Sequence, residues 1–333
     1  MKTTAVLGAG SWGTALAIHL ARAEHGVRLW ARDAALVEEL RATHANDRYL
    51  PGVPMPERIV ATGSLEAALA GAKFVVVAVP SHGLRAVVRR AAAHLEPQAI
   101  MVSATKGIEV DSLQRMSQVI EDETAGCCRT VVLSGPSFAF EVAQGLPTAV
   151  LAASADRAAA AAVQAHFRGR GLRLYLNEDV AGVEVGGALK NVIAIAAGCV
   201  EGLGLGHNAL AALITRGLAE MSRLAIAEGG RRDTLSGLSG LGDLVLTCTG
   251  DLSRNRRVGI ELGRGRALAD ILAGMRMVAE GVRTTRAALA LGARHGLELP
   301  IAAQMQEVLE GRCPPLSAVE ALMLRRQRAE ADG

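Results

Sequence analysis

Apolar residues in the first half of the chain come in short runs separated by helical patterns. Residues 3–7 form an apolar run that stops at a glycine, and residues 14–23 carry apolar side chains at helical spacing. Residues 27–30 read as the next strand and 34–41 as a helix. Residues 74–79 form a continuous valine-rich run bounded by Lys73 and Pro80, and 99–103 and 130–134 repeat it. An unbroken apolar run of this length suits a strand buried on both faces of a parallel sheet. Strands alternating with helices predict a doubly wound α/β domain. The alanine-rich stretch 158–162 fits a helix opening after Asp156.

Near residues 176–187 the pattern changes. Strand-like runs give way to long Ala/Leu-rich helical patterns at 188–200, 209–228, 283–295 and 301–309. The fold class is therefore read as α/β: an N-terminal doubly wound domain over residues 1–184 and a C-terminal all-α domain over 185–333. No internal repeat is visible. With 333 residues, 50% of them hydrophobic, the chain has enough apolar mass for two cores.

Composition removes several functions. The net charge is +3, the two signs are mixed along the chain, and aromatics make up 2%. A nucleic-acid surface would need a basic stripe and stacking residues, and neither is present. The cysteines Cys127, Cys128, Cys199, Cys248 and Cys313 are odd in number and lack metal-ligand spacing. They read as free thiols in a reducing compartment, with no metal expected. The longest apolar helical stretch reads as residues 192–200, short of the about 20 residues that cross a bilayer. With no leader-like segment at the start, a cytoplasmic location without a membrane span is expected.

The first chemical motif is Gly8-Ala9-Gly10-Ser11-Trp12-Gly13, between the first strand and the first helix. In that context the string is a Rossmann-type dinucleotide turn. Gly8 allows the tight turn, Gly10 lets backbone approach a pyrophosphate, and Gly13 lets helix pack on strand. The helix N-terminus then offers N–H groups to the phosphates. Trp12 reads equally as a packing residue. After the second strand comes Arg32-Asp33. Arg32 suits a 2′-phosphate and favours NADP(H), while Asp33 keeps NAD(H) open unless it only caps the following helix.

Four further segments carry candidate chemistry: 103–107 with Lys106, 134–139, 187–192 with Lys190, and 238–244 with Asp243 followed by 249–256 with Ser253, Arg254 and Asn255. Lys190 sits among Ala, Leu, Val and Ile, where burying an ammonium requires a task or a partner; the bland alternative is a surface lysine whose stem lies along apolar residues. Ser253-Arg254-Asn255 suits a phosphate, and equally a helix cap followed by exposed charge. Asp243 reads as an orienting carboxylate or a loop cap, Lys106 as a cleft or surface charge. His82 is read as a loop residue.

These motifs, in this order, closely resemble the glycerol-3-phosphate dehydrogenase family, which uses NAD(P). The resemblance runs from the glycine turn through V-P-S-H at 79–82, A-T-K-G at 104–107 and G-P-S-F-A-F-E-V at 135–142. It continues through L-K-N-V-I-A-I at 189–195, G-L-G-D-L at 240–244, T-G-D-L-S-R-N at 249–255, V-A-E-G-V-R-T-T at 278–285 and L-P-I at 299–301. It implies an oxidoreductase that reduces dihydroxyacetone phosphate to sn-glycerol 3-phosphate for phospholipid backbones. It implies Lys190 as general acid/base, and Lys106, Gly135, Ser137, Lys190, Asp243, Ser253, Arg254 and Asn255 as substrate contacts. Gly8, Gly10 and Gly13 belong to the cofactor turn on the residue argument above. As further cofactor contacts the resemblance implies Ser11, Trp12, Arg32, Tyr49, Lys106, Ala139, Arg254, Val278 and Glu280. It also implies a homodimer. Gly83 departs from an alanine common in the family and suggests a more flexible loop. The reaction requires the Lys190 ammonium to meet the ketone oxygen while the dinucleotide faces the same carbon. Two competing readings are a related dehydrogenase with a carboxylate anchor, and a non-catalytic NAD(P) sensor.

Overall fold

A computed structural model describes residues 3–275 and 277–326. Of the arginine-rich tail that follows Arg312, residues 327–333 lie outside the described residues. The chain divides into two compact units. The first comprises residues 1–106 and 116–180, the second 107–115 and 181–333.

The first unit holds strands β1 (Thr3–Leu7), β2 (Gly26–Trp30), β3 (Ile59–Thr62), β4 (Phe74–Val77), β5 (Ile100–Ser103), β6 (Arg129–Ser134), β7 (Thr148–Ala153) and β8 (Leu172–Asn177). Its helices are α1 (Ser11–Arg22), α2 (Ala34–Thr43), α3 (Leu65–Leu69), α4 (Ser81–Ala92), α5 (Met116–Glu123), α6 (Ala139–Gln144) and α7 (Arg157–His166). The strands form one sheet in the order β3-β2-β1-β4-β5-β6-β7-β8. Pairing is parallel throughout except between β6 and β7. Strand order reverses between β1 and β4, the place where such sheets bind ligands.

The apolar runs are explained by burial on both faces. Val6 of β1 and Phe74 and Val76 of β4 face a core shared with α1, α2, α6 and α7. Their neighbours Ala5, Leu7, Val75 and Val77 face a second core with α3, α4 and α5. The helix over 157–166 starts as expected: Asp156 caps it by accepting from Ala158 and Ala159 N–H.

Three strands carry no run that the sequence pattern could pick out. β3 is four residues long, with Val60 exposed. β7 is rich in alanine, a weak strand former. β8 exposes Arg173 and Tyr175 along one side. Two loop expectations are also corrected: His82 and Gly83 lie in the first turn of α4, where backbone hydrogen bonding limits Gly83's freedom.

The second unit is helical among its described residues. It contains α8 (Val180–Gly202), α9 (Gly206–Ala227), α10 (Arg232–Leu235), a π-helical turn (Leu238–Gly242), α11 (Asp243–Thr249), α12 (Arg254–Gly263), α13 (Leu268–Ala273), α14 (Glu280–Arg294), α15 (Pro300–Leu309) and α16 (Pro315–Met323). Residues 107–115 close a short hairpin through the Ile108–Arg115 bridge. Arg115 pairs with the nearly buried Glu184 of α8 at 2.8 Å, and Ile108 enters the helical core. Helix α8 corrects the length read from residues 192–200. It runs 23 residues and is apolar enough to cross a membrane, but its apolar window is entirely buried in the protein, as in a core helix.

Glycines set the crossing of α8 and α12. A Cβ on Gly198 would stand 2.0 Å from the Arg256 carbonyl oxygen, and one on Gly259 would stand 1.9 Å from that of Ile195. Only backbone-to-backbone packing fits there, and it fixes α12 against the C-terminal half of α8.

Candidate functional site

In the first unit the candidate residues cluster around the ends of β1, β2, β5 and β6. Gly8 adopts φ +115°, and a Cβ there would stand 2.7 Å from the Ala78 carbonyl oxygen. A Cβ on Gly13 would stand 1.8 Å from the Gly8 carbonyl oxygen. Both positions are glycine by necessity. Gly10 differs, because a Cβ there would meet nothing within 4 Å. Packing within the chain does not demand glycine at position 10, whereas the approach of a pyrophosphate does. Gly10 is also the N-cap of α1 and offers no side-chain acceptor to the first turn. The turn thus has the features that hold a dinucleotide phosphate. Trp12 packs half-buried against the core, and its indole Nε1 is buried without a hydrogen-bond partner.

Asn46 holds this turn in place, a role no pattern in the sequence marks. It is fully buried, and its Nδ2 donates to the Ala9 carbonyl at 2.9 Å and to Thr14 Oγ1 at 2.7 Å. An asparagine in a loop between two elements carries no sequence signal of its own. The nearby Tyr49 is half-buried against the same core, and the Arg48 guanidinium lies 5.3 Å from its ring centroid.

After β2, Arg32 is exposed. Asp33 caps α2, with Oδ1 accepting from Ala35 N at 3.0 Å and Leu36 N at 3.3 Å. Its Oδ2 accepts from Arg48 at 2.6 Å. The Arg48 contact, helped by the backbone donors, holds the Asp33 carboxyl below the usual carboxylate range. The capping role is therefore realised.

At the ends of β5 and β6 three expected substrate residues meet. Lys106 Nζ and Ser137 Oγ both donate to the Gly135 carbonyl oxygen, each at 3.0 Å. Gly135 takes φ +136°, and a Cβ there would stand 3.0 Å from Val150 Cα. Ala139 opens α6 and packs half-buried against the core.

In the second unit Lys190 is buried within α8. Its ammonium donates to Asp243 Oδ1 and, at 2.9 Å, to Thr247 Oγ1. The Thr247 hydroxyl donates in turn to the Asp243 carbonyl oxygen at 2.6 Å. Asp243 is 1% exposed and follows the π-helical turn, so the charge pair is compensated inside the unit. Thr247 sits one helical turn beyond Asp243 on the same face of α11, a spacing visible in the sequence only once Asp243 is known to begin a helix.

Ser253 is buried and caps α12, accepting from Arg256 N at 3.2 Å. Asn255 Nδ2 donates to Asn191 Oδ1 at 2.9 Å, and its Oδ1 accepts from Gly281 N at 3.0 Å. That amide joins α8, α12 and the start of α14. Arg254 is exposed at the first position of α12, yet the surrounding protein desolvates its guanidinium enough to lower its pKa from the ordinary arginine value; the charge of Glu280 opposes that shift. Glu280 opens α14, and Val278 is half-buried just before it. Arg256, two residues on, is committed to Glu201 at 2.7 Å and Asp251 at 3.0 Å. Among the described residues, no group of three or more His, Cys, Asp or Glu could hold a metal ion.

The chain matches the family profile described as NAD-dependent glycerol-3-phosphate dehydrogenase N-terminus over residues 3–160, and the corresponding C-terminus profile over residues 179–320. It is 55% identical to a glycerol-3-phosphate dehydrogenase [NAD(P)+] of Acidobacterium capsulatum, covering 99% of this chain and 100% of that one. A Geobacter sulfurreducens enzyme of the same name is 54% identical, with 98% of each chain covered. The crystal structure of glycerol-3-phosphate dehydrogenase from Coxiella burnetii is similar with a TM-score of 0.94 and 42% identity, over 97% of this chain and 99% of that one. Both halves of the sequence, with the cofactor turn in one and the buried lysine in the other, thus fall under one description: the chain belongs to the NAD-dependent glycerol-3-phosphate dehydrogenase family.

Proposed function

We propose that this protein reduces dihydroxyacetone phosphate to sn-glycerol 3-phosphate, reversibly, using NADPH or NADH, and so supplies the backbone of glycerophospholipids. The observation that carries the reading is the buried Lys190–Asp243–Thr247 cluster in a chain of this family. When bound, the reduced nicotinamide supplies the hydride that the carbonyl carbon of the substrate accepts. As the carbonyl electron pair moves to oxygen, Lys190 donates a proton to that oxygen, giving the secondary alcohol; in oxidation the amine takes the proton back. Asp243 and Thr247 hold the lysine side chain in one orientation, which removes the cost of ordering it during the reaction.

Gly8, Gly10, Ser11, Trp12 and Gly13 hold the pyrophosphate side of the dinucleotide, and Arg32, Tyr49, Lys106, Ala139, Arg254, Val278 and Glu280 complete its contacts. Arg254 and the N-terminal turn of α12 receive the substrate phosphate, a dianion suited to a guanidinium at a helix N-terminus. Lys106, Gly135, Ser137, Asp243, Ser253 and Asn255 complete the substrate shell. Ser253 and Asn255 also cap α12 and join helices, which fixes the backbone that carries Arg254. In this reading residues 1–184 serve mainly the dinucleotide and 185–333 the acid chemistry. The protein acts in the cytoplasm as a homodimer; its five free cysteines fit a reducing compartment.

The test is spectrophotometric loss of NADPH, and separately NADH, on addition of dihydroxyacetone phosphate, with 2-keto acids as controls. Turnover of dihydroxyacetone phosphate alone supports the assignment. Preferential turnover of a keto acid, or coenzyme binding without turnover, overturns it.

A further inference from the structure

Where a strand ends at an acidic residue, that carboxylate commonly accepts hydrogen bonds from the ribose hydroxyls of NAD. Asp33 stands in that place, but both of its oxygens are engaged. Oδ1 caps α2 through Ala35 and Leu36, and Oδ2 binds Arg48 at 2.6 Å. The Arg48 guanidinium also lies over Tyr49, 5.3 Å from the ring centroid. Arg48 therefore sits between Asp33, adjacent to Arg32, and Tyr49, a proposed coenzyme contact.

Its position is built rather than incidental. Asn46 is pinned to the glycine turn through Ala9 and Thr14. The carbonyl of Asn46 accepts from Leu50 N at 2.7 Å and Tyr49 N at 3.2 Å, closing a tight turn around residues 46–50. Gly52 N donates to Asp47 at 3.2 Å and extends it. Arg48 is thus carried on a turn anchored to the same loop that holds the pyrophosphate. The groups facing it are Asp33, Tyr49 and, at longer range, Glu39.

We propose that Arg48, together with Arg32, forms the cationic site for the 2′-phosphate of an NADP-type coenzyme, and that Asp33 is its counter-ion in the free protein rather than a reader of the ribose. The inference rests on the proposed coenzyme turn and adds the residue that decides between the two coenzymes. A phosphate dianion offers Arg48 more charge and a better match to its planar fork than one carboxylate oxygen does. The Asp33–Arg48 pair is half-exposed and hence inexpensive to exchange. With NADH no 2′-phosphate is present, and the pair persists.

Binding of 2′,5′-ADP and of 5′-AMP is measured by calorimetry on the full chain, alongside KM for NADPH and NADH, in the unaltered protein, Arg48→Gln and Asp33→Asn. Arg48→Gln is expected to weaken 2′,5′-ADP and NADPH by about tenfold or more while leaving 5′-AMP and NADH within about twofold. Asp33→Asn is expected to leave NADH unchanged. Equal effects of Arg48→Gln on both members of each pair, or no effect on either, would overturn the proposal. So would a large loss of NADH affinity in Asp33→Asn. The fragment measurements need no turnover, so failure of the reaction assay leaves this result readable on its own.

Discussion

Replacing Lys190 with methionine separates the chemical from the structural role of the buried pair. Methionine keeps most of the length and volume of the lysine stem, so cavity formation contributes little. What is lost is the cation beside Asp243, whose side chain is 1% exposed, and the donor to Thr247 Oγ1 at 2.9 Å. Breaking a buried pair from one side costs about 3–5 kcal/mol, because the remaining charge is uncompensated. At roughly 2–4 °C per kcal/mol for a unit of this size, the midpoint of thermal unfolding should fall by roughly 6–20 °C. Adding Asp243→Asn removes the stranded charge, so the double variant should recover most of that loss. Turnover should behave differently. Loss of a general acid removes about 10²–10⁴-fold in rate, and the double variant should regain none of it. Calorimetric unfolding and steady-state reduction of dihydroxyacetone phosphate read the two effects. Near-normal turnover in Lys190→Met, or turnover that returns together with stability in the double variant, would refute the acid role. Unchanged stability in Lys190→Met would refute the charge-pair argument.

Three other outcomes are expected. Asn46→Asp keeps the shape but sets a carboxylate against the Ala9 carbonyl; urea unfolding should show a loss of about 1–3 kcal/mol, with weaker NADPH binding in parallel, and an unchanged midpoint would count against the anchoring role. Arg254→Ala should raise KM for dihydroxyacetone phosphate by about tenfold or more with a smaller effect on kcat, and an unchanged KM would remove Arg254 from the phosphate site. Burial, partly opposed by the Phe167 carbonyl contact, lowers the pKa of His19 from its ordinary value of 6.5. The folded state therefore favours the neutral ring, and stability is full above that value and declines as pH falls through it toward the lower folded value. Urea midpoints across that interval should fall more steeply in the native protein than in His19→Gln; parallel slopes would contradict the assignment.

How much was legible followed from where each signal lies. Runs such as Phe74–Val77 announce themselves because both faces of a central strand are buried. Edge strands and alanine-rich strands do not, because half or more of their pattern is set by partners. The start of α8 was hidden for a related reason. Gly186 and Gly187 look like a break in a helix, yet Gly186 lies inside one, where a Cβ would stand 2.9 Å from the Ser239 carbonyl oxygen. The glycines that seem to interrupt a helix are the ones that let another backbone approach it.

The order of residues alone determined the glycine turn between β1 and α1, the change from alternating to helical architecture, and the candidate positions of Lys190, Asp243 and Arg254. Those are local properties, carried by neighbours in the chain. Only the tertiary structure decided that Asp33 is spent on a helix cap and on Arg48, that Asn46 braces the glycine turn, and that Thr247 and Asp243 share the Lys190 ammonium. Each of these joins groups up to 57 residues apart, and a hydrogen bond or ion pair depends on distance in space, which separation along the chain does not encode.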